Sequence, residues 1–255
     1  MLELGGTAIA WLSGLILPFS RIAAFMLVAP IYSQVAAALR IRTIYAFALA
    51  IIILPSVGTR NFSAVERVDF NILGICTEVL LGFSIGMVLQ YITAAVVTAG
   101  EQVATSMGIG FSQTFDPAVG PIPVVSRLLN IVALLVFIAA QGHTVIIDIL
   151  LRSFEKFPPG AIQEYSINSM IEFSYIIFSG AALLSVPILL TLLAVNVALG
   201  VLSKATPSLN IFAIGFAANL LVGFGMLLLL APVIVEKMSE LWSLALQQEQ
   251  MYFLK

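Results

Sequence analysis

Residues 70–104, 128–151, 169–202 and 209–235 are long, almost uncharged apolar runs. An apolar stretch of roughly twenty residues crosses a bilayer as a helix, so these runs predict an all-α membrane protein: a bundle of long, kinked helices and helical hairpins, with no soluble domain. Residues 4–36 are also apolar, but Arg21, Pro18 and Pro30 interrupt them, giving one kinked element or two short ones. Residues 43–57 are short for a span, and Pro187 predicts a kink in the third long run. Connections are expected at residues 60–69, 152–166 and 204–208. Residues 236–255 form an amphipathic tail suited to an interface or a partner. The whole chain, 1–255, reads as a single helical domain.

One segment does not fit a row of spans. GIGFSQTFDPAVGPIP, Gly108 to Pro123, lies between two apolar runs, and its glycines and prolines forbid a continuous helix. Irregular backbone at membrane depth leaves costly unpaired N–H and C=O groups unless it is buried in protein or lines a cavity. This segment is therefore expected to be shielded by protein or to face a lumen.

Polar residues are scarce enough to be read one at a time: 61% of the chain is hydrophobic and 9% charged, with a net charge of −2 and no basic block. That excludes the electrostatic footprint of a nucleic-acid binder. Glu3, with no Lys or Arg before the first apolar run, is unlike the start of a cleavable signal peptide, so the first segment is expected to be retained. Cys76 is the single cysteine, which leaves no intrachain disulfide and no cysteine metal cluster. His143 is the single histidine and shows no triad or zinc spacing around it. A hydrogen-bonded helix histidine is the expected role, with Asp148 a possible neighbour. No phosphate loop or nucleophile elbow appears, so neither an enzyme nor a cofactor is expected. Alternating runs would place Arg40, Arg42, Arg127 and Lys204 on one side and Arg60, Arg67, Arg152, Lys156, Lys237 and Lys255 on the other; the positive-inside rule leans only slightly toward a cytoplasmic second side and fixes no orientation.

At steps of four, residues 74–98 read Gly74, Glu78, Gly82, Gly86, Gln90, Ala94 and Thr98, all small or polar in an otherwise bulky helix. Small residues let helix backbones approach where lipid gives no hydrophobic drive for association. A repeat longer than 3.6 residues favours right-handed winding of neighbours, so right-handed packing is expected. The pattern recurs as Asn196, Gly200, Lys204 and Ser208, and as Gly215, Asn219 and Gly223. Two readings stand: packing within the chain, or contact between subunits. Embedded charges are costly and usually paired or functional; here they are Arg21, Glu78, Glu101, Asp148 and Lys204. For Glu78 an ion pair with Arg21 is preferred to a proton relay. Met107 borders the irregular segment and is the one methionine expected to line something.

Certain short motifs occur in a telling order: FSRIAAFMLVAPIY near the start, EVLLGFSIG at 78–86, AGEQ at 99–102, GIGFSQTFDP at 108–117, GH at 142–143 with Ser153, Phe154 and Pro158 downstream, and PSLNIFAIGF at 207–216. The chain resembles the FliR/SctT family of type III secretion export-gate membrane proteins over almost its whole length. Pro207, Leu209, Asn210, Phe212, Gly215 and Phe216 carry the last motif. Ala217 and Asn219 depart from the proline and lysine often found there, and no proline precedes the pair Arg40 and Arg42. The resemblance implies a non-enzymatic channel subunit for unfolded flagellar proteins in transit, assembled with FliP and FliQ in a hetero-oligomer and touching FlhB. Its implied place is the bacterial inner membrane, within the flagellar basal body and in contact with membrane lipid. It also implies that residues 105–127 hold a plug-like, pore-facing loop made of Gly108, Ile109, Gly110, Phe111, Ser112, Gln113, Thr114, Phe115, Asp116 and Pro117. In that setting the four-residue stripes are subunit contacts. A small-molecule or proton-coupled transporter, using Glu78, Lys204 and the break at KATPS, is the competing reading.

Overall fold

A computed structural model describes residues 2–30, 32, 39–65, 72–109, 123–159, 168–206 and 211–254. Among them every regular element is an α-helix: α1 (Leu2–Val28), α2 (Leu39–Val65), α3 (Ile72–Ser106), α4 (Val124–Ala139), α5 (Gly142–Lys156), α6 (Asn168–Phe173), α7 (Ile176–Ala205), α8 (Ile211–Leu229) and α9 (Ala231–Leu254). Ile72–Ser106 and Met170–Ala205 are each long and apolar enough to cross a membrane. The pairs α4–α5 and α8–α9 reach that length if each is counted as one span. The protein is an all-α membrane protein.

The helices cluster into two compact units, one of residues 1–90, 141–174 and 244–255, the other of 91–140 and 175–243. In the first, α1 packs along α2 and against the first half of α3. Ile22, Phe25 and Met26 are buried, as are Leu81, Ile85 and Leu89 of α3 and Ile146, Ile149 and Phe154 of α5. Gly82 and Gly86 make the approach of α1 to α3 possible: a Cβ on Gly82 would collide with the Arg21 carbonyl, and one on Gly86 would lie 2.8 Å from Val28 Cβ. Removing the side chain lets the two backbones meet. Aromatic pairs join α1 and the segment after it to α2: Phe19 meets Phe47 edge-on with ring centres 6.0 Å apart, and the Tyr32 and Tyr45 rings lie 5.9 Å apart, tilted by 34°.

In the second unit the remaining half of α3 buries Ile92, Val96, Ala99 and Val103, and α4 buries Leu129, Ala133 and Phe137. From α7 come Ala181, Leu184, Ile188 and Leu192, and from α9 Met238, Leu241 and Trp242. Gly100 again gives close approach, since a Cβ there would collide with Ser126 Cα. The Trp242 ring centre lies 4.6 Å from that of Phe137, tilted by 59°, and its indole N–H donates to the Ala133 carbonyl at 2.9 Å. A buried indole N–H needs such an acceptor.

The observed helices differ from the expected segments in their bounds. The run 128–151 is not one helix: it breaks at Ala140 and Gln141, where Gln141 takes a left-handed backbone with φ 56°. The run 209–235 breaks at Leu230, and α9 restarts at Ala231 with Pro232 in its first turn, where the missing N–H is tolerated. Helix α2 covers Leu39–Val65, longer at both ends than 43–57, because Arg60 to Val65 contain no residue that must end it. Residues 236–254 of the tail are helical, as part of α9. Pro187 lies inside α7, within the continuous helix Ile176–Ala205.

Candidate functional site

Where α3 ends, the backbone forms a closed cap. Gly108 has φ +85°, its N–H donates to the Thr105 carbonyl at 3.0 Å, and the Ile109 N–H donates to the Ala104 carbonyl at 3.0 Å. These are the two bonds of a Schellman motif, and the left-handed residue they require is usually glycine. The carbonyls that the last turn would otherwise leave bare are thus satisfied as the chain departs. Pro123 is buried at the N-cap of α4 with φ −55°, and its carbonyl accepts the Arg127 N–H at 3.0 Å.

Beside this exit lies a cleft of about 440 Å³, bordered by Thr105, Ser106, Met107 and Gly108 of the α3 terminus and by Asn196, Gly200, Phe216 and Asn219 of the α7–α8 hairpin. Met107 is fully buried against Gly223, where an added Cβ would come within 2.6 Å of its side chain. Phe216 stands over Gly108, with its ring edge 3.0 Å from where a Cβ would sit. Asn219 donates to Asn196 Oδ1 at 2.8 Å across the hairpin. Adjoining it is a second cleft of about 380 Å³, which shares Thr105 and Ser106 and adds Thr98, Glu101, Gln102 and Leu189. The Ser185 hydroxyl donates to Gln102 Oε1 at 2.8 Å, fixing one polar side chain on that wall.

In the first unit the polar groups are closed instead of open. Arg21 and Glu78, both buried, form a two-pronged ion pair, Nε to Oε2 at 2.7 Å and Nη2 to Oε1 at 3.0 Å. The guanidinium also donates to Ser153 Oγ at 3.1 Å and to the Phe157 carbonyl at 2.8 Å. Phe157 caps α5, so its carbonyl has no helical partner and sits at the negative end of the helix dipole. The guanidinium carbon lies 4.2 Å from the Phe154 ring centre, a cation–π contact. Arg21 therefore ties α1, α3 and the end of α5 together. Ser153, Phe154 and Phe157 as its partners were not foreseen from their spacing.

Gly74, Glu78, Gly82 and Gly86 are buried, and Gln90 is half-buried. A Cβ added to Gly200 would have nothing within 4 Å, and one on Gly215 only Leu199 at 3.6 Å. Glu101 is half-buried in the smaller cleft, while Lys204 is exposed in the last turn of α7. Asp148 pairs with Arg152 at 2.9 Å on an exposed face, not with His143, whose Nδ1 is buried with no hydrogen bond among the described residues. Gly110, Phe111, Ser112, Gln113, Thr114, Phe115, Asp116 and Pro117, and Pro207, Ser208, Leu209 and Asn210, lie outside the described residues, as does the side chain of Phe212. Among the described residues no cluster of His, Cys, Asp or Glu could hold a metal.

Residues 12–245 match the family described as bacterial export proteins, family 1. Among curated relatives, the chain is 33% identical over 230 residues to the flagellar biosynthetic protein FliR of Pectobacterium carotovorum subsp. carotovorum, covering 88% of this chain and 86% of the relative. It is 31% identical over 239 residues to FliR of Escherichia coli K12, covering 92% and 90%. To FliR of Aquifex aeolicus it is 30% identical over 235 residues, covering 91% of each. With the motifs in family order and the match running through every helix from α1 to α9, this chain belongs to family 1 of the bacterial export proteins, the family of the FliR flagellar biosynthetic proteins.

Proposed function

We propose that the chain is a non-enzymatic subunit of the flagellar type III protein export gate. It assembles with FliP and FliQ, contacts FlhB, and passes unfolded flagellar proteins across the bacterial inner membrane within the basal body. The observation that carries this reading is the helix exit at Gly108: a long apolar helix ends in a satisfied, left-handed cap beside an open cleft. In a membrane such an exit is stable only where the following backbone is sheltered by protein or faces a lumen. Residues 105–127 then act as the plug. Ile109, Phe111 and Phe115 supply bulk for a dewetted seal, and Ser112, Gln113 and Thr114 supply hydrogen-bonding groups for neighbouring loops. The stripes Asn196, Gly200 and Gly215, Asn219, Gly223 serve helix packing in the assembly, with right-handed winding.

Deleting Gly108 to Pro123 tests the plug directly. The complex still assembles, and membranes carrying it leak small ions. An intact seal in an assembled deletion complex overturns the plug. The transporter reading loses its main support because Glu78 is occupied by Arg21, Ser153 accepting a further bond from the cation. Proton flux that falls on Glu78→Gln in a folded chain would revive it.

A further inference from the structure

We infer that the groove along the second half of α3 receives a basic side chain from an apolar helix of another subunit, with Glu101 as its counter-ion. This rests on the assembly reading above and adds the chemistry of the contact. Glu101 opens into the 380 Å³ cleft among Thr98, Gln102, Thr105, Ser106 and Leu189. A carboxylate on an apolar helix is costly unless a cation or water meets it. Ion pairs such as Arg21–Glu78, Asp148–Arg152 and Lys237–Glu240 hold other carboxylates, and none among the described residues involves Glu101. Gln102 is engaged by Ser185, so Glu101 is the open charge on this wall.

The surroundings select the kind of cation. The hydroxyls of Thr98, Thr105 and Ser106 offer acceptors around the carboxylate, which suits an ammonium or guanidinium with several donors. Next to Leu189, α7 leaves Val186, Leu190, Leu193 and Val197 exposed at successive turns. A side chain entering the groove is thus carried on a segment that is apolar on either side of its charge. A hydrated ion has no use for that wall. The neighbouring cleft adds Asn219 Oδ1, a buried acceptor with no partner among the described residues, one step further along the same path.

The test uses the full chain expressed with the other export-gate subunits in membranes. A photoreactive residue at Thr105 is expected to crosslink to an apolar helix of another subunit with Lys or Arg within one turn of the joined residue. Glu101→Lys should lower the co-purified partner roughly tenfold, Glu101→Gln about threefold, and reversing the charge on the crosslinked helix should restore Glu101→Lys. Crosslinks to lipid only, or to a helix without a basic residue, overturn the inference. So does a Glu101→Lys complex that assembles like the unmodified one. A Glu101→Gln complex that keeps its partner but changes monovalent cation flux also overturns it, and assigns the carboxylate to an ion. If Glu101→Lys fails to accumulate, the crosslink and Glu101→Gln decide. An unmodified chain that purifies alone overturns the assembly reading itself, a result distinct from all of these.

Discussion

The stripe on the first half of α3 and the cleft walls of the second unit treat their polar and glycine-bearing surfaces in opposite ways. In the first, the stripe of α3 is used up within the chain: Gly82 and Gly86 touch the backbone of α1, and Glu78 is locked to Arg21. In the second, Gly200 faces open space, Glu101 faces a cleft, and Asn219 Oδ1 meets no donor among the described residues. Similar four-residue patterns thus serve intrachain closure in one place and leave an unfilled surface in another. A small-residue stripe alone does not distinguish a fold contact from an assembly contact; what stands opposite it does.

The largest effect expected is at the closed cluster. Breaking a buried ion pair by removing one partner costs about 3–5 kcal/mol, because the other charge stays buried and unmatched. Arg21→Ala or Glu78→Ala should therefore deplete the chain from membranes, read by quantitative immunoblot. Replacing both by apolar residues of similar volume should recover much of that loss. A double variant no better than the singles would show that Ser153 and Phe157, and not Glu78, carry the contact.

Gly82→Val should destabilise by about 1–3 kcal/mol through overpacking against the Arg21 carbonyl. The midpoint of thermal unfolding in detergent measures it. Next in size is Gly108→Ala, where the left-handed backbone costs about 1–2 kcal/mol and the new methyl presses on Phe216. Its readout is protease sensitivity just after residue 109. Gly200→Ala should do the reverse in the isolated chain, stabilising α7 by up to about 1 kcal/mol since nothing opposes the added methyl. A destabilised isolated chain would break the comparison, whereas loss of assembly with a stable chain would sharpen it. Smallest is Asp148→Asn, worth no more than about 0.5 kcal/mol for an exposed i,i+4 pair and expected to leave the melting midpoint unchanged.

Much of this was readable beforehand, and the failures have causes. The helical class followed from the apolar runs, and the exit at Gly108 from glycine's tolerance of positive φ. The break at Gln141 has no residue that demands it, whereas the one at Leu230 is marked by Pro232, whose missing N–H suits the first turn of a new helix. Gln141 takes a left-handed conformation that only its surroundings make acceptable. The pairing of Arg21 with Glu78 was inferable, since there are few charges to choose from. Its further partners, Ser153 and the Phe157 carbonyl, are 132 and 136 residues away, and no local pattern points to a backbone carbonyl freed by a helix end.

The sequence by itself determined that the chain is helical and membrane-embedded, which motifs it shares with an export family, and where one helix must stop. Those properties depend on residue type and near-neighbour spacing. Only the tertiary structure decided which stripe is covered and which is open, which carboxylate is paired, and what lies beside the helix exit. These are contacts between residues distant along the chain, and periodicity is the same whether or not another backbone fills the space opposite.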